Sequence, residues 1–310
     1  MSESEPETAP LRLDLAHRTL LQMTGEDRVK FLHNLSTGDI KKLPPGQGCE
    51  AFIPTLQGKI LGHFFILPTA AAIYLTGVRD QAAALLPHFQ KYAVIEDVEV
   101  VDRSETANEF LVAGVHAEGW INSNLGVAPP QGNLQIVEQE NMLVYRSPLV
   151  AGPAWGVIFL GDSPHREAFA AAEPSVINDA VFELLRIEAG FPFYGRDLTV
   201  DNLCQEADRD ATAISFTKGC YLGQETIARI DALGHVNRRL LGVRFPNKPA
   251  EDASYEIDGK PALRVTSISW SPAAEHWIGL AMVRRGYDKP GETLETSSGP
   301  VEIVALPFSA

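Results

Sequence analysis

The 310-residue chain is 45% hydrophobic and carries 26 Lys and Arg against 40 Asp and Glu, a formal charge of −14. This length allows a large core and two or three domains, while the acidic balance opposes the phosphate neutralisation that nucleic-acid affinity requires, so direct tRNA or DNA binding is not expected. No apolar run approaches the roughly 20 residues of a membrane span. The acidic start, Met1-Ser2-Glu3-Ser4-Glu5-Pro6-Glu7, is neither a signal nor a transit peptide, so residues 1–10 read as a disordered tail on a cytoplasmic protein.

In chain order, Thr24 reads as an N-cap with Asp27 at the capping-box position, leading into Val29, Phe31, Leu32 and Leu35 as a first amphipathic helix. Residues 49–54 and 59–67, parted by Gln57-Gly58, read as a hairpin, and 72–76 as a further strand. A helix over 79–92 and strands over 94–101, 109–115, 134–137, 142–146 and 155–160 follow, with helices at 165–172 and 178–189. Short antiparallel groups mixed with helices, rather than steady βαβ units, predict an α+β body over 11–235. After about Val236 the pattern changes to short strands between Gly and Pro turns, at 240–245, 262–268, 278–282, 293–296 and 301–305. That spacing predicts a small C-terminal β-barrel over 236–310, with the boundary near Gly234-His235.

The three cysteines, Cys49, Cys204 and Cys220, are odd in number and widely spaced, which excludes a disulfide framework. No C-x-x-C pair exists, so no permanent metal or cluster site is expected. Gly46-Gln47-Gly48-Cys49-Glu50-Ala51 fits a relaxed dinucleotide fingerprint but follows Pro44-Pro45 instead of a strand, and is a false match. Cys220 lies in Lys218-Gly219-Cys220-Tyr221-Leu222-Gly223-Gln224-Glu225. A thiol two residues from a lysine, on glycine-flanked backbone, suits a nucleophile, a redox group or a metal ligand, against the plainer reading of a small hydrophobe near a turn.

The helix over 178–189 holds a second unusual residue. At 100° per residue Ile177, Val181, Leu184 and Leu185 form an apolar stripe with Glu188 near its centre, while Asp179, Glu183 and Arg186 fall opposite. An inward carboxylate needs a partner. A structural ion pair, a frayed last turn before Gly190 and a ligand's paired N–H donors are the three candidates, and Arg229 and Arg238 are either surface arginines or partners for an anionic ligand tail.

The eight residues from Lys218 to Glu225 resemble the signature of the YgfZ family, folate-binding proteins related to the T-protein, or aminomethyltransferase, of the glycine-cleavage system and implicated in maintaining iron–sulfur enzymes. Residues 185–192, 31–39, and Val265-Thr266-Ser267 with Ile278-Gly279-Leu280-Ala281, resemble further elements of that superfamily, so the likeness spans nearly the whole chain. The resemblance implies a T-protein-like body with a C-terminal barrel and a bound tetrahydrofolate or derivative. It places Glu188 on the pterin edge, Arg229, Tyr221 and Gln224 around the ligand, and Cys220, assisted by Lys218, as the key reactive thiol and a transient cluster ligand among its open roles. The implied partners are folate and iron–sulfur client or assembly proteins, including radical enzymes of tRNA modification.

Two departures bear on the reaction. Where aminomethyltransferases continue into acidic residues after the turn resembling Gly58-Lys59-Ile60-Leu61, this chain has Gly62-His63, which puts true aminomethyl transfer in doubt; His63 reads as a structural histidine at a strand edge. Cys204 replaces a proline usual in relatives and reads as incidental. A tetrahydrofolate-dependent one-carbon transferase and a non-catalytic docking module are the rival functions.

Overall fold

In the computed structural model of the chain, the described residues are 10–15, 18–172, 175–250, 252–297 and 299–308. The expected acidic tail over 1–10 falls, apart from Pro10, outside them. The elements run β1 (Leu11–Asp14), β2 (Thr19–Thr24), α1 (Arg28–Leu35), β3 (Cys49–Pro54), β4 (Ile60–Pro68), β5 (Ile73–Gly77), α2 (Ala82–Tyr92), β6 (Glu99–Asp102), β7 (Ala107–Ala113) and α3 (Ala117–Leu125). They continue through β8 (Ile136–Gln139), β9 (Met142–Arg146), β10 (Ala154–Leu160), α4 (His165–Ala171), β11 (Ser175–Val176), α5 (Asp179–Glu188), α6 (Asp210–Ala213) and α7 (Gln224–Leu233). The last stretch is all strand: β12 (Arg238–Phe245), β13 (Ser254–Ile257), β14 (Lys260–Ser271), β15 (His276–Arg284), β16 (Thr293–Thr296) and β17 (Gly299–Val304).

Three sheets result, and the mixed α+β class expected from the sequence is the class observed. The first has the order β3-β4-β5-β2-β6 and the second β11-β1-β7-β10-β9-β8. The third, β13-β14-β15-β12-β17-β16, brings its end strands β13 and β16 together and nearly closes as a barrel. Every pairing is antiparallel except β1 with β11. β1 and β2 sit in different sheets although only residues 15–18 separate them, so the first two sheets share one cluster in which Leu13, Leu20, Phe65 and Tyr145 pack together. A second shared cluster joins β3, β4, α5 and α7 to the barrel through Phe52, Ile60, Ile187, Ile227, Leu240 and Leu280.

The hairpin over 49–68, the strands over 142–146 and 154–160, and the helices near 165 and 178 stand where the patterning places them. Asn178 caps α5 by accepting the Val181 N–H at 3.0 Å. Four expectations need correction. Thr24 ends β2 and does not cap α1, whose N-cap is Asp27; the Asp27 carboxylate accepts instead from the Asp97 N–H at 3.0 Å. The strand expected over 94–101 is confined to β6, with Val94 and Ile95 79% and 91% exposed. α3, α6, α7, β1, β2, β11 and β13 have no counterpart in the sequence reading. His63 is not at a strand edge, because β4 lies between β3 and β5.

Candidate functional site

The cysteine motif opens at Lys218, whose side chain turns into the protein. Its ammonium donates to the carbonyls of His33, Ser36 and Gly38 at 2.5, 2.7 and 2.6 Å. Those carbonyls sit at and just beyond the C-terminal end of α1, where backbone acceptors lack helical partners and a cation is favoured. Burial pulls the Lys218 ammonium down to about 7, against the attraction of Asp39. Lys218 therefore staples the motif to α1, and its charge bears on Cys49. Its three donors are spent on carbonyls, so it makes no hydrogen bond to Cys220.

Past the staple the chain swings outward, and Cys220 is exposed while Cys204 is buried and Cys49 lies between. Tyr221 returns inward under the Lys218 ammonium, 4.8 Å from ring centre to nitrogen, and Leu222 N–H donates to Asn34 O at 2.9 Å. Gly223 then adopts φ +80° directly before α7, and a Cβ there would lie 2.4 Å from Thr55 O. Both the left-handed turn and the close approach to the β3–β4 hairpin require glycine. Gln224 is the half-buried first residue of α7, and Arg229 is exposed on the same helix. Cys220 lines an open cavity of about 520 Å³ with His33, Asn34, Lys41, Tyr92 and Tyr221.

A separate, larger cavity of about 750 Å³ lies against α5 and the segment 193–196. Its apolar walls include Leu13, Phe182, Phe193 and Tyr194, and its charged groups include Arg18, Arg79, Asp179, Glu183 and Arg196. Glu183 is held from two sides: Arg186 donates to it at 2.5 and 3.1 Å, and Arg196 at 2.7 and 2.8 Å. Arg186 is fully buried, not solvent-facing as helical spacing predicts, because Asp197, Ser267 and the Phe191 carbonyl join Glu183 in satisfying its guanidinium. Val181, placed on the apolar stripe from the sequence, is 38% exposed.

Glu188 is half-buried at the end of α5, accepts from Ser271 Oγ at 3.3 Å, and faces β14 instead of lining the 750 Å³ cavity. Arg238 donates to Glu206 at 3.0 Å. The fold thus brings Cys220, Lys218 and Tyr221 together, and leaves Glu188, Arg229 and Arg238 on other surfaces.

The Gly62-His63 departure is occupied by a closed network. His63 Nε2 lies 2.7 Å from Glu50 Oε1, and Glu50 is also clamped by the Arg209 guanidinium through both carboxylate oxygens. The His63 ring stacks on Phe191 at 5.2 Å and contacts Phe52 at 4.9 Å. Burial lowers the His63 pKa against the opposing effect of Glu50, so the imidazole is neutral. Among the described residues no group of three or more His, Cys, Asp or Glu is arranged to hold a metal ion, and no helix is long and apolar enough to cross a membrane.

With this geometry the comparisons take a definite meaning. Residues 238–309 match the glycine cleavage T-protein C-terminal barrel domain, the region of β12 to β17. A protein of Cronobacter sakazakii named tRNA-modifying protein YgfZ is 27% identical over 97% of this chain and 94% of its own. The chain is thus similar to YgfZ proteins over nearly its whole length and to the T-protein in its C-terminal barrel. A putative chloroplastic transferase of Arabidopsis thaliana is 26% identical over 96% of this chain and 71% of its own length. The solved aminomethyltransferase T of Bartonella henselae superposes with a TM-score of 0.85 at 19% identity, covering 97% of the one chain and 87% of the other, which establishes a shared T-protein-like fold.

Proposed function

We propose that the protein is a folate-binding accessory factor that supports iron–sulfur enzymes, including those of tRNA modification, through the thiol of Cys220. The observation that carries this reading is that one of three cysteines is exposed, on a motif whose lysine, glycine and tyrosine are each committed to holding that loop in place. The YgfZ relatives are named for tRNA modification, and the acidic charge of this chain favours action on a modifying enzyme over action on the RNA itself.

The donor set of the 750 Å³ cavity fits a reduced folate. Such a volume suits a drug-sized ligand; Phe182, Phe193 and Tyr194 supply apolar and aromatic wall, Asp179 supplies a carboxylate for the donor edge of a pterin, and Arg79 supplies a cation for a glutamate tail, while Glu183 and Arg196 are already paired with each other. Asp179 replaces Glu188 in this reading because it lines the cavity and Glu188 does not. Titration calorimetry with tetrahydrofolate tests it: Asp179→Asn is expected to weaken binding by about 1.5–3 kcal/mol, with Glu188→Ala affecting it less. The opposite ranking overturns the placement. The functional arm is rescue of iron–sulfur enzyme activity in cells lacking the protein, expected to fail with Cys220→Ser and to succeed with Cys49→Ser and Cys204→Ser.

A one-carbon transferase is the second reading, drawn from the shared fold. It is disfavoured by the Glu50 carboxylate, the acidic group beside position 63, which is saturated by Arg209 and His63. Turnover of an aminomethyl group on a lipoyl carrier protein would restore it.

A further inference from the structure

Among the described residues, the cavity beside Cys220 is lined by one cation, Lys41, and by no carboxylate. In a chain of formal charge −14, the 520 Å³ cavity beside the thiol is lined by Lys41 and by Tyr92, over whose ring the Lys91 ammonium sits at 5.4 Å. Lys218 lies buried beneath it. The nearby carboxylate of Asp39 is engaged by Lys42 at 3.1 Å and approaches His33 Nδ1 at 3.5 Å.

His33 adds a directed donor. It is 5% exposed, lines the cavity, and receives the Lys41 backbone N–H at Nδ1 over 3.4 Å. A ring nitrogen that accepts carries no proton, so in neutral imidazole the proton resides on Nε2. Among the described residues Nε2 has no hydrogen-bond partner. Burial, with Lys218 and Lys41, lowers the His33 pKa to about 4, which keeps the ring neutral at physiological pH. A thiol, the Lys41 ammonium and a single N–H donor therefore line a space large enough for a small molecule, with the Lys91 ammonium next to its Tyr92 wall.

We propose that this cavity receives a small anionic disulfide, which Cys220 opens by thiol–disulfide exchange. The Cys220 thiolate attacks one sulfur of the ligand, a Cys220–S bond forms as the ligand's S–S bond breaks, and the departing thiolate leaves with the electron pair and takes a proton from water. The disulfide is the oxidant and Cys220 the group oxidised. Lys41 and Lys91 hold the ligand's carboxylates, and His33 Nε2–H donates to an acceptor oxygen. This rests on the reading of Cys220 as a working thiol and names its substrate class.

The test uses the full chain and two disulfides of similar length and opposite charge, 3,3′-dithiodipropionate and cystamine, with the mixed disulfide at Cys220 followed by mass spectrometry. The rate ratio in the folded protein is compared with that in the same chain unfolded in urea, which removes the reagents' intrinsic difference. Folding is expected to shift the ratio toward the dianion by about fivefold or more, the effect of one to two unit charges at a wet surface. The shift is expected to vanish in about 0.5 M salt and in Lys41→Gln/Lys91→Gln, a surface pair whose folding is checked by circular dichroism. An unchanged ratio, a shift toward cystamine, or a shift that survives the lysine replacements overturns the proposal, as does protection of Cys220 by an RNA oligonucleotide at concentrations where dithiodipropionate has no effect. Rescue of iron–sulfur enzymes by Cys220→Ser would overturn the functional reading while leaving this selectivity in place, so the two failures are distinguishable.

Discussion

Arg186 and Asp197 form an ion pair of 2.8 Å in which neither side chain reaches solvent. Burial alone would discharge both, but each outweighs it for the other, with Glu183 adding to the hold on Arg186 and the Phe193 N–H and Ser267 hydroxyl to the hold on Asp197. The pair fixes the segment 191–197, which forms one wall of the 750 Å³ cavity.

Arg186→Met is expected to destabilise the protein by about 3–5 kcal/mol, because it leaves Asp197 charged and buried without its counterion. Equilibrium unfolding in urea measures this. The double variant Arg186→Met/Asp197→Leu is expected to recover much of the loss, and no recovery would locate the cost in packing instead of charge.

Acid sensitivity should trace to Glu50. Burial would raise its pKa, but the attraction of Arg209 and the hydrogen bonds from His63 and Arg209 prevail and hold it at about 2, against 4.5 when free. A carboxylate depressed on folding stabilises above its unfolded pKa and loses that contribution as pH falls through the folded value. The window is thus pH 4.5 down to 2, and the amount is about 3 kcal/mol. Unfolding free energies across that window are expected to fall less steeply in Glu50→Gln than in the parent; parallel slopes would assign the acid sensitivity elsewhere.

Lys218→Met is expected to cost about 3 kcal/mol by leaving buried carbonyls of His33, Ser36 and Gly38 without a donor. Chemical denaturation checks it. A loss below about 1 kcal/mol would mean that solvent replaces the ammonium at these groups.

Cys220 is expected to alkylate fastest of the three thiols at neutral pH. Cys49 is pushed up to about 12 by burial, despite Lys218, and burial likewise raises Cys204, so neither supplies thiolate. Limited iodoacetamide treatment and peptide mass spectrometry rank them, and faster labelling of Cys49 or Cys204 in the native protein would contradict the exposed placement of the motif.

The sequence made the strands of strong apolar character legible, because β3, β4, β9 and β10 carry their burial in their own composition. It did not expose α7, which begins immediately after Gly223 and buries only Ile227, so its apolar stripe is weak. Arg186 was misplaced for a related reason: helical spacing reports polarity, and the partners that make an arginine tolerable in the core come from the segment 191–197 and from β14, distant in sequence. The motif around Cys220 was legible as unusual, whereas the direction of the Lys218 side chain depends on where α1 ends in space. Glu188 and Glu183 illustrate the same limit, since which carboxylate lines a cavity is decided by the walls that face it.

Gly190 follows α5 at φ +66° with Leu306 so near that a Cβ would come within 2.8 Å of it, and Phe308 N–H donates to Glu188 O. The helix behind the large cavity is therefore latched by residues made some 120 positions later. During synthesis at about 5–20 residues per second, α5 waits roughly 6–24 s for its latch. A nascent chain halted before residue 306 would hold the helix with that end unfastened, leaving the cavity wall open to chaperones and proteases until the residues just past β17 have been made and seated.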